Sequence, residues 1–217
     1  MTKYKAVIFD LDGTLVETER AVVAAALSAM RQLGLPERPD IFEALIGTVD
    51  QEDQILSTTF GPAFDPNRFN AVWAAEIEVE YAKGIGLRPG VEELFDRLNL
   101  LSLPFALATN SRTETAHRML TLAGIHHRFD PIHIHGRDRV TRPKPAPDLY
   151  LYAAQVLGIE PAHCIAFEDS IPGAQAALAA GMTLVHVPDQ QHVPQGLGAH
   201  VQAQSLMAGA RALGLVS

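Results

Sequence analysis

Two aspartates one residue apart, in Asp10-Leu-Asp12-Gly-Thr-Leu15, follow directly on a short apolar run, Ala6-Val-Ile-Phe9. If that run is a strand, the chain curls where it ends, and both carboxylates can face one pocket. Two acids that close repel, so a shared proton, a lysine or a cation must stabilise their charge. A second acidic pair, Glu168-Asp169, closes the apolar stretch that starts at Cys164. Thr109-Asn110-Ser111 follows the run Phe105-Ala-Leu-Ala108, and Lys144 sits among prolines in Arg142-Pro-Lys-Pro-Ala-Pro147, a loop stiff enough to hold a lysine in place. Hard carboxylate oxygens suit Mg²⁺, which keeps part of its water shell and takes a substrate phosphate as a further ligand. A helix opening near Ser111 would offer free N–H groups and a favourable dipole to an anion. A cation, a lysine, a hydroxyl and helix-end amides around one acid nucleophile describe phosphoryl transfer.

These groups meet only if the elements bearing them are parallel strands whose C-terminal ends share one edge, where such sheets bind ligands. Five apolar runs are candidates: Ala6–Phe9, Phe105–Ala108, Ile132–Ile134, Cys164–Phe167 and Thr183–Val187. Continuous runs of this length suit strands buried on both faces. The third is the weakest, because His133 and His135 alternate with isoleucines and imply an edge or half-exposed strand. Helical patterns lie between the runs. Ser111-Arg-Thr-Glu114 reads as a capping box opening a helix towards Gly124. Leu149, Tyr152, Ala153, Val156 and Leu157 repeat at helical spacing between Pro147 and Gly158, and Pro172 and Gly181 bracket a third helix. Strand and helix in alternation predict a doubly wound, Rossmann-like α/β fold.

From about Val16 to Leu87 the alternation stops. Val23, Leu27 and Met30 form a helical stripe, Ile77–Tyr81 lies in another helical pattern, and Gly84, Gly86, Pro89 and Gly90 punctuate the return. This segment reads as a helical insertion after the first strand, with core domain 1–15 and 88–217 and inserted domain 16–87. The 217 residues, awkward for a prior of roughly 150 per domain, divide sensibly that way.

Composition removes other classes of function. With 17 basic and 25 acidic residues the formal net charge is −8, so no general field gathers nucleic acid or an anionic membrane. A single cysteine, Cys164, excludes an intramolecular disulfide framework and a multi-cysteine metal site, and fits a reducing cytoplasm. No run approaches the roughly 20 apolar residues of a membrane span, and the first residues do not read as a signal peptide. The histidines around 126–135 cluster near the weakest strand, away from the acidic motifs, and read as structural. Trp73, Tyr81 and Phe69 read as the core of the insertion.

The four motifs, Asp10–Leu15, the run ending in Thr109-Asn-Ser111, Lys144-Pro-Ala-Pro-Asp148 and Phe167-Glu-Asp-Ser170, resemble in order and spacing those of the haloacid dehalogenase superfamily. More narrowly, the chain is similar to its phosphatases with a small helical cap after the first motif, the group that includes β-phosphoglucomutase and phosphoglycolate phosphatase. The resemblance implies sheet order 3-2-1-4-5 and Mg²⁺ as cofactor. It implies Asp10 as nucleophile forming an aspartyl-phosphate, and Asp12 as the acid and base for leaving alcohol and water. Mg²⁺ would be held by Asp10, the Asp12 carbonyl and Asp169, with Glu168 a ligand or a supporting group. Thr109 and the Asn110 backbone would bind phosphoryl oxygens, and Lys144 would neutralise charge between Asp10 and phosphate. The expected substrate is a small phosphorylated metabolite and the expected state a monomer or weak dimer. A sugar-phosphate mutase and a non-catalytic phosphate-binding protein are the alternatives. Glu17-Thr-Glu-Arg-Ala-Val22 lacks the histidine of the mutase hinge, and Gly47-Thr-Val-Asp50 has an acid where the mutases place an arginine; both favour hydrolysis. Asp12 argues against dehalogenation, since dehalogenases typically lack the second aspartate. Gly47–Glu52, Lys83 and Arg88 are where substrate choice is expected to reside.

Overall fold

A computed structural model describes residues 3–45, 52–188 and 198–216. Six parallel strands form one sheet: β1 (Ala6–Phe9), β2 (Phe105–Thr109), β3 (Ile134–Gly136), β4 (Cys164–Glu168), β5 (Thr183–His186) and β6 (Val201–Gln202), in the order β3-β2-β1-β4-β5-β6. The expected order 3-2-1-4-5 therefore holds, with a sixth strand added at the β5 edge. β1 is flanked on both sides, Phe9 standing opposite Leu107 of β2 and Phe167 of β4. In this register the ends of β1, β2 and β4 are level, so Asp10, Thr109 and Glu168 emerge along one edge.

The chain divides into two compact units, Met1–Glu17 with Gly86–Ser217, and Thr18–Ile85. The second unit is helical: α1 (Thr18–Leu33), α2 (Pro39–Leu45), α3 (Glu52–Phe60) and α4 (Pro66–Ala82). Its core gathers Ala26, Ala29, Met30, Phe42, Leu56 and Phe69, with Trp73 packed against them. The indole N–H of Trp73 donates to the Val22 carbonyl at 3.0 Å, and Glu76 on α4 accepts from Ser28 and Gln32 on α1. These contacts give the apolar stripe of α1 its partner, as a helix this long requires.

The first unit adds α5 (Val91–Leu100), α6 (Thr113–Leu122), α7 (Asp148–Leu157), α8 (Ile171–Ala179) and α9 (Leu206–Ala212). Alternation along the strands sorts the sheet into two unlike faces. Ala6, Ile8, Ala106, Ala108 and Ala166 pack with Tyr150, Ala153, Ala174 and Ala177 of α7 and α8. On the other face Phe9 stacks on Phe167 and meets Phe95 and Phe105 edge-on. Small strand residues let α7 approach closely. The chain leaves the sheet unit at Glu17 and returns at Gly86. There Val16 bridges Leu87 in antiparallel fashion and the Glu17 N–H donates to the Gly86 carbonyl at 2.8 Å.

Two local expectations are corrected. The third strand is not Ile132–Ile134: Pro131–His133 is a 3₁₀ turn with Ile132 64% exposed, and β3 starts at Ile134, on the sheet edge. Ser111 does not cap α6; its hydroxyl is used elsewhere, and the Thr113 N–H donates instead to Asp138 Oδ1 at 2.6 Å. Gln190–Gly198, read as loop, lies almost wholly outside the described residues, as does the Gly47–Asp50 stretch. Among the described residues no helix is long and apolar enough to cross a membrane.

Candidate active site

Asp10 is the first residue beyond β1, and its N–H donates to the Phe167 carbonyl, which turns the chain out of the sheet next to β4. Its carboxylate is almost fully buried. Lys144, from the proline-rich loop before α7, reaches it with Nζ 2.6 Å from Asp10 Oδ1 and 2.5 Å from Glu168 Oε1. Burial opposes a charged ammonium, but the two carboxylates outweigh it and raise the Lys144 pKa above the ordinary lysine value. The lysine therefore stays protonated. Its main chain is fixed as well, since the Asn110 side-chain amide accepts from the Lys144 N–H and donates to the Lys144 carbonyl.

Glu168, at the end of β4, is wholly buried. Oε1 accepts from Lys144 and from the Tyr150 hydroxyl at 2.9 Å; Oε2 accepts from the N–H and the hydroxyl of Ser170. The carboxyl lies beneath the first turn of α8. A Cβ built on Gly173 would fall 1.8 Å from Glu168 Oε1, so that helical position admits only glycine while Glu168 is where it is. Ser170 also caps α8, accepting from the Gly173 N–H.

Asp169 follows, and its Oδ1 accepts from the Thr14 hydroxyl at 2.8 Å. Gly13, at φ 79°, has Asp169 Oδ2 where a side chain would begin, so both the left-handed turn and the close approach require glycine. The His186 ring donates from Nε2 to the Asp169 carbonyl at 2.8 Å. Burial, with Glu168 nearby, pushes the Asp169 carboxyl up to about 7, against the partial relief of Thr14 and Lys144. Asp10 is also held well above the ordinary carboxylate range: burial dominates, Lys144 offsets part of it, and Glu168, Asp169 and Asp12 add repulsion. Two buried acids that resist ionisation on their own are what a bound cation relieves. Ligand oxygens of Asp10, Glu168 and Asp169 lie within 4.8 Å of one another; the carboxylates of Asp10 and Asp169 suit a hard divalent ion, with Glu168, already bonded by Lys144, Tyr150 and Ser170, adjoining them.

Asp12 is partly exposed, and its Oδ2 accepts from the Ser111 hydroxyl at 3.0 Å. Thr109 is buried at the end of β2, with its hydroxyl accepting from the Ser111 N–H. The structure thus links Asp10, Lys144, Asn110 and Glu168 in one chain of contacts, and Asp12, Ser111 and Thr109 in another. The Asp12 side chain lies outside the three-carboxylate group. Sequence reasoning missed Thr14, Tyr150, Ser170 and His186. A usable signal for Ser170 was its position before Ile171-Pro172, an N-cap followed by proline. Tyr150 gave none, because it sits in an apolar helical stripe. Cys164 is buried, with its thiol pushed up to about 11 by burial.

Residues 4–181 match the model of the haloacid dehalogenase-like hydrolases. Protein CbbY of Rhodobacter capsulatus is 33% identical, over 86% of each chain. Hexitol phosphatase A of Escherichia coli is 32% identical over 88% of this chain and 86% of that one. A haloacid dehalogenase-family hydrolase from Deinococcus radiodurans, solved with phosphate and sodium, superposes with TM-score 0.85 at 31% identity, covering 100% of this chain and 99% of that one. The match over residues 4–181 and relatives above 30% identity across most of their length show that the chain belongs to the haloacid dehalogenase-like hydrolases.

Proposed function

We propose that the protein is a Mg²⁺-dependent phosphatase that releases inorganic phosphate from the phosphomonoester of a small, sugar-like metabolite. The observation that carries this reading is the buried Asp10–Lys144 pair, which joins the end of β1 to the loop before α7, with Asp12 held beside it by Ser111. The hexitol phosphatase relative and the phosphate in the Deinococcus radiodurans structure support the substrate class. The helical insertion, residues 16–87, is assigned the role of cap that selects the substrate and excludes bulk water.

In this mechanism a carboxylate oxygen of Asp10 attacks phosphorus, the ester P–O bond breaks, and the leaving oxygen takes the proton held by Asp12. Asp12, now ionised, takes a proton from water as that water attacks phosphorus. The bond from phosphorus to Asp10 then breaks and inorganic phosphate departs. Lys144 stays protonated throughout and holds one oxygen of Asp10, which orients the carboxylate. Thr109 and the Asn110 backbone bind phosphoryl oxygens. Mg²⁺, held by Asp10, Asp169 and the Asp12 carbonyl with Glu168 adjoining, would offset phosphoryl charge.

The test is phosphate release from a panel of sugar, nucleotide and glycolytic phosphates, with and without EDTA, and with Asp10→Asn as the blank. Turnover is expected to fall at least about 1,000-fold in Asp10→Asn and to cease in EDTA. A few per cent of wild-type rate in that variant would overturn the nucleophile, and undiminished rate in EDTA the cation. Interconversion of two sugar phosphates without phosphate release would replace hydrolysis by mutase chemistry.

A further inference from the structure

We propose that Tyr150 is a positioning residue for this reaction, fixing through its hydroxyl the Glu168–Lys144 pair that holds the nucleophile. The inference rests on the phosphatase reading above. Tyr150 lies on α7, wholly buried, where small residues of β1 and β2 let the helix come close to the sheet. Its hydroxyl donates to Glu168 Oε1 at 2.9 Å, and its ring lies under the Lys144 ammonium at 4.8 Å from the centroid, within cation–π range.

An ionised carboxylate offers about four acceptor sites. In Glu168 protein donors meet four: Lys144 and Tyr150 at Oε1, the Ser170 N–H and hydroxyl at Oε2. The carboxyl group is therefore held from every side, and Lys144 in turn has a fixed anchor from which to hold Asp10. Burial, together with the nearby charges of Glu168 and Asp10, keeps the phenol well above its ordinary pKa, so it remains a donor. Any large buried ring fills space; the hydroxyl does something a phenylalanine cannot. Without it Glu168 has one constraint fewer, and the lysine that depends on it can shift relative to Asp10.

The test is Tyr150→Phe in the full chain, assayed with Mg²⁺ on p-nitrophenyl phosphate and on the best substrate of the panel. Loss of one charge-assisted hydrogen bond that acts through geometry predicts a fall of about 10- to 30-fold in kcat, with KM within about threefold. Orthovanadate, which resembles the five-coordinate transition state, should inhibit about tenfold less well, and inorganic phosphate less than threefold less well. Unchanged kcat, or equal weakening of vanadate and phosphate, overturns the inference. Replacing Tyr150 with 4-aminophenylalanine puts an N–H donor in the same place and should bring kcat within about threefold of wild type. This arm stands alone if Tyr150→Phe does not fold, and a folded but slow 4-aminophenylalanine protein overturns the inference too. Wild-type protein that releases no phosphate from any substrate would sink the phosphatase reading instead.

Discussion

Gly173→Ala sets two simple rules against each other. Gly173 lies in the first turn of α8, and replacing glycine with alanine in a helix normally stabilises a protein by up to about 0.5–1 kcal/mol. Here the new methyl would lie 1.8 Å from Glu168 Oε1 and 2.0 Å from Cδ. Ordinary carbon contacts begin near 3.5 Å, so the carboxylate must retreat by about 1.5 Å. Its bonds to Lys144 at 2.5 Å and Tyr150 at 2.9 Å cannot survive that displacement. A wholly buried carboxylate parted from its lysine costs about 3–5 kcal/mol, which exceeds the helix gain several-fold. The net expectation is a loss of about 2–4 kcal/mol. Moving Lys144 by about 1 Å should also lower kcat by about 100-fold. Urea denaturation at neutral pH reads the first quantity and phosphate release the second. A Gly173→Ala protein as stable as wild type, with normal turnover, would refute the packing of Glu168 under α8 and the reasoning built on it.

Two further expectations concern other residues. His135 on β3 is buried against Tyr152, and burial, reinforced by His133 and Arg139, lowers its pKa to about 4 from 6.5. A depressed folded-state value means the unfolded chain takes the proton first, so this stability is full above pH 6.5 and drains as pH falls towards 4. The difference amounts to about 3 kcal/mol. His135→Leu should flatten urea midpoints between pH 6.5 and 4.5, and parallel pH curves for variant and wild type would count against it. Ser111→Ala frees the Asp12 carboxyl from its 3.0 Å bond. Hydrolysis of an alkyl phosphate, whose leaving oxygen needs a proton, should slow about tenfold, and that of p-nitrophenyl phosphate less than twofold. Equal losses on the two esters would detach Ser111 from acid catalysis.

What was legible in the sequence was whatever repeats locally. Ala6–Phe9, Phe105–Ala108 and Cys164–Phe167 are continuous apolar runs because both faces of their strands are covered, and so the residues just beyond them, Asp10, Thr109 and Glu168, could be placed on one edge. β6 is only two residues long, Val201–Gln202, too short for any pattern. α6 takes its cap from Asp138, twenty-five residues away, so the local Ser111–Glu114 pattern suggested a bond that a distant residue makes instead. Tyr150 was illegible for a similar reason. In a stripe of Leu149, Ala153 and Val156 its hydroxyl looks incidental, and only the approach of α7 to β4 gives that hydroxyl a charged partner.

The paired crossing at Val16–Glu17 and Gly86–Leu87 has a consequence for how such proteins diversify. Because the outgoing and returning strands of chain are bonded to each other, the sheet unit meets the insertion through two adjacent anchor points, as it would meet the tip of a hairpin. The entropy of closing a loop grows only slowly with its length. The helical segment can therefore lengthen, shorten or be exchanged for another while the catalytic edge keeps its registration. If the insertion selects the substrate as proposed, chemistry and choice of substrate become separately inheritable, and a chimaera joined at these two anchors is the form in which one could be transplanted without the other.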